Sequence, residues 1–177
     1  ATKYLIFCKE IIKDAQVYVP EFLENIIEKN ISCLNFIKYP NNQLPLFNGA
    51  SENPINQLDE YLNENEKKNK SEEIIGGLFK LKHKNHIIFF DTGNPPKKKF
   101  SKCYQSGPLS FEYFLDGIKI ISNSGFGDNI SSKAELLSRL TACQTTLTLN
   151  DTTVTKFERN KLINRIYGNS IKNTFKI

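Results

Sequence analysis

The sequence predicts an α+β fold: helices first, then an antiparallel β-sandwich, expected to be incomplete within this chain. Two observations carry this. Apolar residues recur at three- and four-residue steps up to about residue 62 and alternate with polar ones from Ile74 onward. Runs of one element type followed by runs of the other indicate α+β or two domains, not an alternating α/β sheet. A third observation, a hairpin signal at Asp116-Gly117, marks the sheet as antiparallel, because both positions tolerate positive φ.

The first helix is expected to present Tyr4, Leu5, Cys8, Ile11, Ile12 and Ala15 on one face. Pro20 suits the first position of a second helix, whose apolar face is Phe22, Leu23, Ile26, Ile27, Ile31 and Leu34. Asn41-Asn42 ends that run, and Leu44–Ala50 reads as an ordered loop. Pro54 is placed to open a third helix carrying Leu58, Tyr61 and Leu62, and the charged, Asn-rich tract Asn63–Glu73 reads as a linker. Residues 1–70 therefore form a helical segment and 71–177 a sandwich portion.

In the second part, Phe79, Leu81 and His83 alternate with Lys80 and Lys82, and Lys84-Asn85 turns the chain into the strand His86–Asp91. Leu109–Leu115 and Ile118–Asn123 flank the Asp116-Gly117 turn. Thr145–Asn150 alternates Thr and Leu and is expected to pair across Asp151 with Val154–Phe157, and Ile163–Ile177 holds further strand candidates. About six strands is few for a closed sandwich.

Composition narrows the function classes. The 13 Phe and 7 Tyr provide a core despite only 39% hydrophobic residues. A net charge of +5 fits an anionic partner without identifying one. The lysines of residues 66–70 and 97–99 lie in no helix-turn-helix, RNA-recognition or zinc-finger spacing, so nucleic acid is not favoured. No 18-residue apolar run exists, so no membrane helix is expected. The N-terminus is too soon charged for a signal peptide, and the chain contains no Met, which points to a processed chain or a fragment. Cys8, Cys33, Cys103 and Cys143 lack metal or redox spacing and read as free buried thiols. His83 and His86 flank a turn and read as exposed, and Asp91-Thr92-Gly93 reads as turn chemistry.

Five segments in order resemble the bacterial heparinase II/III-like family of polysaccharide lyases. They are Leu46–Glu52, Phe90–Pro96, Gly107–Glu112, Ile121–Gly125 and Arg139–Leu147. The resemblance implies the end of an (α/α) toroid joined to the start of a β-sandwich, in a parent that cleaves uronate-containing acidic polysaccharides by β-elimination. It implies a bacterial periplasmic or envelope location. Most catalytic groups of such lyases lie in the toroid, so this chain alone is expected to be inactive. The sandwich of such lyases contributes histidines before the Leu-Ser-Phe-Glu strand, an acidic residue in the next strand and a later histidine, and in some members these hold zinc. Here those positions are Cys103 and Gln105, Asn123, and Gln144. Neutral amides are poor zinc ligands, so neither metal nor cofactor is expected. Gln105, Asn123 and Gln144 remain candidates for a structural cluster or for contacts to glycan hydroxyls. Tyr104, as a phenolate base or stacking ring, and Arg139, as a carboxylate clamp, are the weak catalytic candidates, with packing and a structural ion pair as the alternatives. Cys103 as a thiolate base is less favoured. The rival readings are a glycan-binding or structural sandwich without lyase chemistry and, third, a basic domain for an anionic surface.

Overall fold

A computed structural model of the protein describes residues 2–51, 73–160 and 165–169. Two helices lead, α1 over Thr2–Asp14 and α2 over Glu21–Ile37. A five-stranded antiparallel sheet follows in the order β1 (Ile74–Ile75), β2 (Leu78–His83), β3 (His86–Asp91), β4 (Phe111–Leu115) and β5 (Ile118–Ile121). A short helix α3 spans Ser132–Leu137, and β6 (Lys156–Asn160) pairs with β7 (Arg165–Asn169) in a separate two-stranded ribbon. The α+β expectation holds. The expected helix from Pro54 and most of the expected linker lie outside the described residues.

The helices pack through Ile6 of α1 against Leu23, Ile27 and Ile31 of α2, with Leu5, Ile12 and Leu34 alongside. This corrects the expected faces. Tyr4 and Ile11 are exposed, as are Phe22 and Ile26. The Lys9–Glu24 ion pair, at 3.0 Å, borders this contact, and Tyr4 points outward. Pro20 stands one place before the first helical residue, as the N-cap.

The sheet follows its sequence pattern closely. Lys84 and Asp116 take positive φ, as two-residue hairpin turns require. Alternation sends Ile87, Phe89 and Phe114 to one face, where they meet Tyr39, Phe47 and Phe36 from the end of α2 and the loop after it. Tyr39 stacks on Phe114 with ring centroids 4.6 Å apart and meets Phe89 edge-on at 5.3 Å. Lys80, on the same face, donates from Nζ to the Phe36 carbonyl at 2.6 Å and lies 5.0 Å from the Phe89 ring centre. The opposite face carries a row of Phe79, Phe90 and Phe111 across three strands. His83 and His86 pair across the first turn and are exposed, as expected.

Two expectations fail locally. Thr145–Asn150 forms no strand; a single bridge joins Leu149 to Thr152. The threonines prefer other backbone partners: Thr145 Oγ1 bonds the Phe111 main chain and Thr146 Oγ1 the Pro108 carbonyl. The cysteines are free but not buried, because Cys8 faces solvent and the other three are half-buried.

Candidate functional site

The Leu-Ser-Phe-Glu strand positions the site through Glu112, which is 0% exposed. Its carboxylate accepts from the backbone N–H groups of Leu46 and Asn123, both at 3.0 Å, and from Ser122 Oγ and Tyr39 Oη, both at 3.1 Å. Lys119 Nζ lies 3.8 Å away and donates to the Leu44 carbonyl. One buried carboxylate thus ties the 39–46 loop, the sheet and the chain leaving β5 together. The strand begins at a tight turn where Leu109 takes positive φ, and a Cβ on Gly107 would meet Gln144 at 3.0 Å.

The segment before that turn is held from behind by Arg139, also 0% exposed. Its Nε donates to the Tyr104 carbonyl at 2.9 Å and its Nη2 to the Ser101 carbonyl at 2.7 Å. Nη1 lies 3.8 Å from Glu135, and the guanidinium sits 4.6 Å over the Phe157 ring. Burial lowers its pKa, opposed by the Glu135 charge. Arg139 therefore shapes the 101–104 backbone from inside the protein and presents no fork to an external carboxylate.

The three amides meet around this loop. Gln105 Nε2 donates to the carbonyls of Gly125 and Ser138, both at 2.9 Å, and Gln144 Nε2 donates to the same Ser138 carbonyl at 2.7 Å. Gln105 Oε1 accepts from the Gly49 N–H at 3.1 Å, and Asn123 Oδ1 from the Thr145 N–H at 2.9 Å. Gln105 and Gln144 share a partner, and Asn123 joins through Thr145, next to Gln144. All three are buried. The Gln105 and Asn123 oxygens already accept backbone N–H bonds, and amides are weak donors to zinc. The residues do not fit a zinc ion. Among the described residues no group of three His, Cys, Asp or Glu converges.

In front of the loop lies a cavity of about 250 Å³ lined by Asn48, Asp91, Asn94, Phe100, Cys103 and Tyr104 together with Gly76, Gly93 and Pro96. Asn48 bridges its two walls. Its Oδ1 accepts from the Gln105 N–H at 3.3 Å, and its Nδ2 donates to Asp91 Oδ2 at 2.9 Å. Asp91 Oδ1 accepts from the Gly93 N–H at 3.1 Å. Burial raises the Asp91 pKa, and these two hydrogen bonds oppose the rise. Burial pushes the Tyr104 phenol up to about 12, helped by the charge of Asp91. That keeps it protonated at neutral pH and opposes a phenolate role. Gly49, at positive φ, brings its backbone so close to the loop that a Cβ there would lie 2.5 Å from the Cβ of Cys103.

Asn48 and Asp91 were not expected as site residues. Asn48-Gly49 signals a turn, and no spacing reveals that residues 48, 91 and 105 converge.

A helical lead joined to an antiparallel sheet, with a polar cavity beside a clamped loop, makes this an α+β protein carrying part of a β-sandwich. The chain belongs to the heparinase II/III-like family, matching its C-terminal domain over residues 70–174. Among solved structures it is similar to the heparan sulfate lyase HepC from Pedobacter heparinus, with a TM-score of 0.63 and 19% identity over 90% of this chain and 30% of that one. It is also similar to the Heparinase III-BT4657 gene product, with a TM-score of 0.58 and 18% identity over 80% of this chain and 27% of that one. The chain therefore spans under a third of those structures. No curated protein matches it.

Proposed function

We propose that this chain forms part of the glycan-facing wall of a lyase that cleaves uronate-containing acidic polysaccharides by β-elimination. The supporting observation is the 101–105 segment. It lies where the family resemblance puts reactive histidines, it is clamped by Arg139 and Asn48, and its Cys103 and Tyr104 line a polar cavity. The same reading puts the protein in or beyond the bacterial envelope.

β-Elimination needs the uronate carboxylate neutralised, a base on the C5 proton and a proton for the leaving 4-linked oxygen. Burial leaves Tyr104 a hydrogen-bond donor, and Arg139 acts through the loop it holds. These residues position and exclude water, while the base and the carboxylate-neutralising group come from outside the residues assigned here. The test is direct: incubate the full-length protein with uronate polysaccharides and follow the ultraviolet absorbance of the unsaturated product. Product formation is expected. Retained binding with no product on any acidic glycan supports the second reading, a non-catalytic glycan-binding sandwich. What favours that alternative is that Gln105, Asn123 and Gln144 are neutral amides engaged with backbone.

A further inference from the structure

The sheet carries two histidines at the end of its first hairpin. His83 and His86 stand directly opposite each other across the two-residue turn from β2 to β3, and both are exposed. Alternation puts both side chains on the face that bears Phe79 and Phe90, with Cβ atoms about 4.5–5.5 Å apart. At that spacing one nitrogen of each ring can reach a shared ion about 2 Å away.

The His86 ring is held in place. Its Nδ1 lies 2.7 Å from Tyr113 Oη, and the two rings are within 9° of parallel. The order of strands decides what this contact leaves free. β3 runs between β2 and β4, so Tyr113 flanks His86 on one side and His83 flanks it on the other. The two nitrogens of an imidazole point to different sides of its ring. When Nδ1–H donates to the phenol oxygen on the β4 side, Nε2 keeps its lone pair for the side of His83. A hydrogen bond on the far ring nitrogen is the usual support of a metal-bound histidine. Charge does not oppose an incoming cation. Lys84 in the first turn is offset by Asp116 in the next, which accepts from Asn85 Nδ2 at 2.7 Å. Imidazole nitrogen suits late first-row divalent ions, whereas magnesium and calcium take oxygen. The length of β3 places this pair about 17 Å from Asp91 and the cavity described above.

We propose that His83 and His86 form a two-imidazole site for a late first-row divalent cation of the nickel, copper and zinc class, with Tyr113 as the positioning residue that aims His86 Nε2 at the ion. Among the described residues no third His, Cys, Asp or Glu converges there, so water completes the shell and the site stays open on its solvent side. The bound ion staples β2 to β3 at the turn and stabilises the folded state by mass action.

The experiment titrates the full-length protein with Ni²⁺ alone in a calorimeter, and with Mg²⁺ as the oxygen-preferring control. The wild type is expected to bind Ni²⁺ saturably and Mg²⁺ not at this site. His83→Gln and His86→Gln, both at exposed positions, are each expected to lower the Ni²⁺ stoichiometry by one per chain. Tyr113→Phe keeps the ring and removes only the hydroxyl. It is expected to weaken Ni²⁺ binding by about tenfold while the metal-free thermal midpoint stays unchanged, a combination that a merely structural role does not give. No saturable Ni²⁺ binding by the wild type, or a stoichiometry that neither histidine variant lowers, overturns the site. An unchanged affinity in Tyr113→Phe overturns the positioning role.

Discussion

Replacing Glu112 by Ala removes the carboxylate on which three segments converge. The substitution strips the acceptor from two backbone N–H groups, Leu46 and Asn123, and from the hydroxyl of Tyr39, which is itself 0% exposed. It also leaves Lys119, whose side chain is 11% exposed, without its counter-charge. Breaking one side of a buried ion pair costs about 3–5 kcal/mol. The Lys119 bond to the Leu44 carbonyl survives and keeps the estimate from rising further. Against a total stability of about 5–15 kcal/mol, this is a large fraction. Glu112→Gln keeps an oxygen for the two N–H groups but sets an NH2 group against the Tyr39 hydroxyl and Lys119, so about 1.5–3 kcal/mol is expected. The chain has no Trp, so guanidinium unfolding is followed by far-ultraviolet circular dichroism. A double-mutant cycle with Lys119→Met should show coupling of about 0.5–3 kcal/mol. If Glu112→Ala lies within about 1 kcal/mol of wild type, the hub described here is wrong.

Three further outcomes are expected. Gly49→Ala, which combines a positive φ with a Cβ 2.5 Å from Cys103, should cost about 1–3 kcal/mol in the same unfolding assay and displace the loop at the cavity mouth. Arg139→Met should cost about 3–5 kcal/mol by orphaning the Tyr104 and Ser101 carbonyls, whereas a surface lysine such as Lys133→Met should stay within about 0.5 kcal/mol. A spectrophotometric titration should find Tyr39 and Tyr104 ionising late, because burial raises both, Tyr104 to about 12, and the Glu112 charge adds to the rise at Tyr39. The sign follows from linkage: the folded state keeps these protons while the unfolded state loses them near pH 10, so stability falls as pH rises above about 10.

The sheet was legible because it is a local pattern. Alternation at Phe79–His83, the Lys84-Asn85 turn and Asp116-Gly117 fix strands and register with short-range information alone. Helix rotation was less legible, because both faces of α1 and α2 carry large apolar residues and the packing of Ile6 on Leu23, Ile27 and Ile31 that separates them is a tertiary contact. The Thr145–Asn150 stretch shows the same limit, since alternation there yields to hydroxyl bonds reaching Pro108 and Phe111. Within the site, Gln105 and Gln144 meet at the Ser138 carbonyl and Asn123 meets Thr145, contacts that the spacing of these residues does not reveal. Asn48 and Asp91 were invisible because their roles come from contacts 57 and 43 residues apart along the chain. Glu112 lies within the Gly107–Glu112 segment, yet its burial depends on the 39–46 loop it anchors, which strand alternation does not reveal.

In the proposed function, the clamped loop and its cavity face the glycan. Hydrogen–deuterium exchange on the full-length protein, with and without an acidic tetrasaccharide of uronate and neutral sugar, measures this most directly. The account predicts slowed exchange in peptides covering residues 47–50 and 93–105. Binding accompanied by protection only elsewhere, for example at the hairpin tips around residues 84 and 116, would contradict it.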